Sequence, residues 1–222
     1  MTISRRDFVH SLGLGVLALA SPALPRWLVA TDEYEAPALG FRFRKPPAWR
    51  FVAASEIAQS RDEAQLPGGA QAKAEVLELA GDPLLVAARL PHPQRGPALV
   101  IWRQPASEDD HHATNNRAFA LIHGATYRQY GAYLRDFAVV EGATATVYAG
   151  RAASRCVVRF AEDTIRGESW TVRLESHLLR WRSSWLTFNY LDLEDGFAPT
   201  AIRDFRSIEA SLRFFEPRAI AV

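Results

Sequence analysis

Sulfur and lysine are scarce in this chain. Its 222 residues include one cysteine, Cys156, and one methionine. A single cysteine excludes an intramolecular disulfide framework. Its neighbours Val157 and Val158 read as strand, so Cys156 is expected to be a buried, inert thiol rather than a nucleophile. Lys45 and Lys73 are the only lysines, and every other basic residue apart from histidine is arginine. The formal net charge is +1, which gives no electrostatic case for nucleic acid or an anionic membrane as partner. Long apolar runs are missing too: Leu12 to Ala20 is broken by Gly13 and Gly15 and falls short of the roughly 18 residues that cross a bilayer. No transmembrane segment is expected in the mature chain. There is no Gly-x-Ser-x-Gly elbow, His-Glu-x-x-His helix, phosphate loop or dinucleotide fingerprint, so no cofactor is expected and no catalytic residue is assigned.

What the chain does have is hydrophobic substance, 48% of its residues, with 11% aromatic. That is enough for a sizeable core in one domain. At the N-terminus, Ser4-Arg5-Arg6-Asp7-Phe8 precedes the short apolar run and the breakers Pro22 and Pro25. Arg5, Arg6 and Phe8 in that order read as a twin-arginine export signal, recognised by the twin-arginine (Tat) translocase and delivering a folded chain to the periplasm. Cleavage is expected after Ala20, Ala23 or Ala30. Residues 1–30 are thus set apart as leader and 31–222 as a single domain.

Residues Thr31 to Pro37 read as a polar connector. Phe41-Arg42-Phe43-Arg44 alternates with the period of a half-buried strand, ended by Pro46-Pro47. A short helix over Ala53 to Gln59 and a loop over Ser60 to Ala72 follow. Strands are expected at Ala74 to Leu79, Leu84 to Leu90 and Ala98 to Arg103. The second of these is apolar almost throughout, as suits a strand covered on both faces. From Asn116 to Phe137, Phe119, Ile122, His123, Tyr127, Tyr130, Leu134 and Phe137 recur at helical steps, with Thr114 or the asparagines as caps. Gly124 and Gly131 on that helix suggest close packing. Strands then come at Thr144 to Tyr148, Ser154 to Phe160, Glu168 to Leu179 and Trp185 to Leu191. The third places Trp170, Val172 and Leu174 on one face, and Arg173, Glu175 and His177 on a face that is wet or turned to a partner. A closing helix from Pro199 carries Ile202, Phe205, Ile208 and Leu212 on one side, and Arg213-Phe214-Phe215 makes a terminal strand. Strands and helices in this order give an α+β fold, a twisted, mainly antiparallel sheet with helices packed on it.

Gly40-Phe41-Arg42-Phe43 with Pro46-Pro47-Ala48-Trp49, the late hairpin ending Trp185-Leu186-Thr187-Phe188-Asn189-Tyr190, and a closing helix with Ser207-Ile208 and Ser211-Leu212 resemble the PsbP-like family. That family includes extrinsic photosystem subunits and DcrB-type bacterial envelope proteins. Ala48 stands where a glycine is common. The resemblance implies a PsbP-like α/β sandwich and a binding, assembly or stabilising role more often than catalysis.

Three clusters carry candidate chemistry. Asp109, Asp110, His111 and His112 are carboxylate and imidazole donors for a divalent metal, in a metal-binding protein or a metal-assisted hydrolase; the alternative is a solvated acidic loop. Arg155, Arg159 and Arg173 either form a guanidinium patch for an acidic partner or pair across strands with Glu162, Glu168 and Glu175. Arg180, Trp181, Arg182 and Trp185 mix arginine and tryptophan at a hairpin. Exposed, that composition suits an interface with an envelope partner; buried, the indoles belong to the core. His123, on the apolar helix face, is expected as a hydrogen-bonded core residue. The leading expectation is an exported, non-enzymatic binding or assembly module.

Overall fold

A computed structural model describes residues 32–37, 39–53, 83–89, 97–106, 115–163, 169–194 and 199–216. The leader, the helix and loop expected between Ala53 and Ala72, the strand Ala74 to Leu79 and the Asp109 to His112 cluster lie outside the described residues.

The alternation Phe41-Arg42-Phe43-Arg44 forms β2 (Phe41–Arg44), with both phenylalanines buried and both arginines exposed. Residues expected to be a polar connector form a strand instead, β1 (Glu33–Ala36). The reason is cross-strand chemistry: Glu33 faces Arg44 and Glu35 faces Arg42, while Tyr34 and Ala36 bury between them. β10 (Arg213–Phe214) pairs on the other side of β2, so this small sheet joins the two ends of the described chain.

The large sheet has seven strands: β3 (Trp49–Phe51), β4 (Leu85–Arg89), β5 (Ala98–Pro105), β6 (Arg135–Tyr148), β7 (Arg151–Asp163), β8 (Ser169–Trp181) and β9 (Ser184–Leu193). Their spatial order is β3-β4-β5-β9-β8-β7-β6, antiparallel throughout. β4 is covered on both faces, as its apolar run requires: Val86 and Ala88 enter one core cluster, Leu85 and Ala87 the other.

One face of the sheet carries α1 (Asn116–Tyr130). Asn115 caps it, its side chain accepting from the Ala118 amide at 2.9 Å. Gly124 lies against the sheet, where an added Cβ would stand 3.3 Å from Ala143. The helix stops seven residues earlier than its periodicity predicts. Gly131 adopts ordinary right-handed geometry, but a Cβ there would meet Phe137 Cδ1 at 2.8 Å. The chain turns back at Gly131, so Leu134 and Phe137 still reach the α1-side cluster, but from a turn and from β6. Arg135 to Phe137, the first three residues of β6, are thus strand where helix was expected.

The other face carries α2 (Pro199–Ser211) and the small sheet. Trp49 is the hinge of this layer: its indole N–H donates to Asp204 Oδ2 at 2.8 Å, and its ring meets Phe205 edge-on at 5.8 Å. With both faces covered, β9 is buried at every position from Ser184 to Asp192.

Candidate functional site

The face of β8 expected to be wet is exposed at Ser169 and Thr171 and half-buried at Arg173, but it is buried on the α2 side at Glu175 and His177. Glu175 and His177 are only 8% and 3% exposed. Glu175 is the centre of a charged network. Its carboxylate accepts from His177 Nε2 at 2.9 Å, Arg155 Nη2 at 3.1 Å and Arg206 Nη2 at 3.2 Å. Burial alone would raise its pKa, but hydrogen bonds from His177 and Arg155 and the neighbouring Arg206 charge outweigh burial, holding the carboxyl well below its usual range. Arg155 also donates to Glu141 Oε2 at 2.5 Å, and that hydrogen bond lowers the Glu141 pKa. Arg173 meets Glu141 at 3.4 Å and Arg159 meets Glu194 at 3.6 Å. The three arginines read as an acidic-ligand patch are therefore matched by acids of the same fold. Of the expected partners Glu175 is one; Glu141 and Glu194 come from an edge strand and a strand end.

Beside this network, His177 stacks on Tyr148 at 4.3 Å, and the Tyr148 and Tyr190 hydroxyls meet at 2.5 Å. Burial pushes both phenols above their ordinary pKa. Asp192, nearby on β9, accepts from the Leu193 amide through Oδ1 at 2.9 Å, while its buried Oδ2 has no hydrogen-bond partner. Burial raises its pKa to about 6.

On the α1 face, His123 sits between two serines, Nδ1 at 2.7 Å from Ser154 Oγ and Nε2 at 3.0 Å from Ser176 Oγ. All three side chains are buried, with His123 1% exposed. Burial, with the His177 charge second, lowers the imidazole pKa to about 3. A neutral ring that donates at one nitrogen and accepts at the other, with no carboxylate in hydrogen-bond contact, lacks the geometry of a charge-relay base. It is a polar rivet between helix and sheet. Cys156, on the same face, is buried, and burial raises its thiol to about 11.

At the β8–β9 turn, Trp181 and Trp185 face opposite sides of the sheet. Trp181 pairs with Ser184 and Arg180 with Trp185, so the two indoles occupy successive rows. Trp181 donates to the Leu39 carbonyl at 2.5 Å, packs on Phe214 at 5.1 Å and lies under the Arg151 guanidinium at 3.8 Å. Trp185 meets Phe119 of α1 edge-on at 5.3 Å. Both are buried, whereas Arg182 is exposed at the turn with a left-handed φ of 56° and an ion pair to Glu216. The hairpin therefore presents guanidinium groups, not indoles. Among the described residues no group of three or more histidine, cysteine, aspartate or glutamate side chains is placed to hold a metal ion, and no helix is long and apolar enough to cross a membrane.

A twisted antiparallel sheet covered by a helix on one face, and by a helix plus a small sheet on the other, is the PsbP-like α+β sandwich. Among solved structures it is similar to cyanobacterial PsbP (CyanoP) from Synechocystis sp. PCC 6803, with a TM-score of 0.51 at 14% identity over 82% of this chain and 91% of that one. LpqN of Mycobacterium tuberculosis, involved in cell envelope biogenesis, aligns at TM-score 0.48 and 13% identity over 79% of this chain and 83% of its own. The Ran-binding protein Mog1p of Saccharomyces cerevisiae aligns at 0.44 and 9%, over 84% and 96% respectively. At 14% identity the likeness to CyanoP is one of fold. Neither a protein-family model nor a curated protein matches the chain.

Proposed function

We propose that this chain is an exported, non-enzymatic binding or assembly module of the bacterial cell envelope, carried in folded form by the twin-arginine translocase. Residues 1–30 are its leader and 31–222 its single domain. The observation that carries the reading is the placement of the reactive side chains among the described residues. His123, His177, Cys156, Ser154 and Ser176 are all buried in the fold, where catalysis would require solvent or substrate to reach them. The Arg5-Arg6-x-Phe8 pattern supplies the export argument. The preferred contact region for an envelope partner is the guanidinium end of the β8–β9 hairpin, Arg180 and Arg182, with the buried Trp181 and Trp185 holding it in place.

Arg5→Lys with Arg6→Lys tests the export half: the precursor is expected to stay in the cytoplasm, and normal export overturns the leader assignment. Arg180→Ala with Arg182→Ala tests the contact region. Loss of an envelope partner that co-purifies with the exported wild type is expected; undiminished recovery removes the hairpin as the site.

A further inference from the structure

Arg151, at the start of β7, stands over the aromatic end of the hairpin, its guanidinium carbon 3.8 Å from the centre of the Trp181 ring and 4.9 Å from that of Phe214. Those are the contacts of its side chain among the described residues, and neither uses an N–H donor. A second guanidinium, Arg182, reaches the same indole at 5.5 Å. It does so from a φ of 56°, in the left-handed region where a two-residue hairpin turn ordinarily uses glycine or asparagine. A conformation of that kind persists where the surroundings hold the side chain; here Trp181 and Glu216 hold it.

Glu216 is the last described residue. Its carboxylate pairs with Arg182, although its side chain is 87% exposed. Its charge also acts on Arg151, whose pKa burial lowers and the Glu216 carboxylate draws back up. One exposed acid therefore faces two arginines and hydrogen-bonds one of them, Arg182.

We propose that Arg151 and Arg182, backed by Trp181, form a binding site for the carboxylates of an acidic protein segment, and that Glu216 is its built-in occupant, displaced when such a segment arrives. The inference rests on the hairpin being the contact region and adds the partner's chemistry. That chemistry is read from Glu216: the group already seated on the site is a side-chain carboxylate. An exposed, single ion pair is weak, so Glu216 yields to a ligand that engages both arginines. A segment with neighbouring acids takes Arg182 where Glu216 does and Arg151 through donors that Glu216 leaves unused. Trp181 and Phe214 keep water from one side of Arg151, and a guanidinium so backed holds an anion more strongly than one surrounded by water.

Calorimetric titration of the purified full chain with an acetylated, amidated hexaglutamate peptide tests the site. Glu216→Gln removes the occupant's charge and is expected to bind the peptide about tenfold more tightly than wild type, as loss of one competing charge-assisted hydrogen bond should allow. In the Glu216→Gln chain, adding Arg182→Gln or Arg151→Gln is expected to weaken binding by about tenfold or more. Arg151→Lys covers the case in which Arg151→Gln fails to fold: it keeps the charge over the rings but not the planar fork, and is also expected to weaken binding. Arg203→Gln, an exposed change on α2, is expected to bind like its parent.

No binding by Glu216→Gln, affinity indifferent to Glu216→Gln, equal losses from Arg203→Gln and Arg182→Gln, or unchanged binding in Arg151→Lys and Arg151→Gln would each overturn the proposal. So would inorganic phosphate bound by Glu216→Gln more tightly than the peptide, which would make this a phosphate site. The titration needs neither export nor a native partner, so its failure removes the carboxylate chemistry alone, whereas failure of the hairpin as contact region shows in partner recovery.

Discussion

Gly131 and Phe137 are packed so tightly that the glycine hydrogen occupies space no side-chain carbon can enter: a Cβ would lie 2.8 Å from the ring carbon Cδ1. Replacing glycine by alanine at a helix end with right-handed geometry ordinarily stabilises a protein slightly. Here the sign reverses. Gly131→Ala is expected to cost about 1–3 kcal/mol through displacement of the Phe137 ring. Gly142→Ala, where nothing lies within 4 Å, should be near neutral. Urea unfolding of both variants checks the contrast.

The Glu175 network holds two guanidinium groups and an imidazole against one buried carboxylate. Glu175→Gln removes the negative charge and leaves the cations facing one another. A loss of about 3–5 kcal/mol is expected, the usual result of breaking a buried ion pair from one side, measured as a shift in urea midpoint at neutral pH.

His123 contributes a fall in stability in mild acid. The unfolded chain takes up a proton there near pH 6.5, whereas the buried ring resists until about pH 3. Between those values the unfolded state binds more protons, and folding stability drops by about 1 kcal/mol per pH unit. Asp192 acts in the opposite direction. Its folded pKa of about 6 lies above the ordinary 3.8, so the folded state takes the proton first and gains stability as pH falls through that window. Asp192→Asn is therefore expected to be more stable than wild type at pH 7 to 8 and to lose stability more steeply between pH 6 and 4. Urea midpoints measured from pH 8 to 4 test both signs.

Trp181→Ala is expected to cost about 3–5 kcal/mol, since it removes the Phe214 contact, the hydrogen bond to Leu39 and the ring under Arg151. Arg182→Ala, at an exposed turn, should stay within about 0.5 kcal/mol of wild type. Thermal unfolding of the two separates structural from surface roles at the hairpin.

Much of the fold was legible where a strand's own period matched its surroundings. β2 alternates as its burial does, and β4 is apolar because both its faces are covered. β1 was not legible, since Glu33-Tyr34-Glu35-Ala36 looks polar until the arginines of β2 stand opposite. The end of α1 was hidden by coincidence: Leu134 and Phe137 keep helical spacing yet reach the same cluster from a turn and a strand. At the site, His123 on an apolar helix face hinted at a satisfied core histidine, but its serines come from β7 and β8, and only tertiary packing joins them. Glu175 and His177 were read as wet because strand alternation says nothing about a second layer above them. The split of Trp181 from Trp185 did leave a signal, for a two-residue turn puts residues four apart in successive rows and so on opposite faces.

The pairing of β2 with β10 carries a constraint of timing. Phe41 finds its strand partner in Phe214, and Ala98 of β5 finds Leu191 of β9, so the sheets close by contacts between distant parts of the chain. Such long-range closure makes folding slow and leaves little of it to complete during synthesis. β2 remains without this neighbour until residues 213–214 have left the ribosome. Any factor that inspects β2 for completed folding is, in effect, waiting for β10 about 170 residues later.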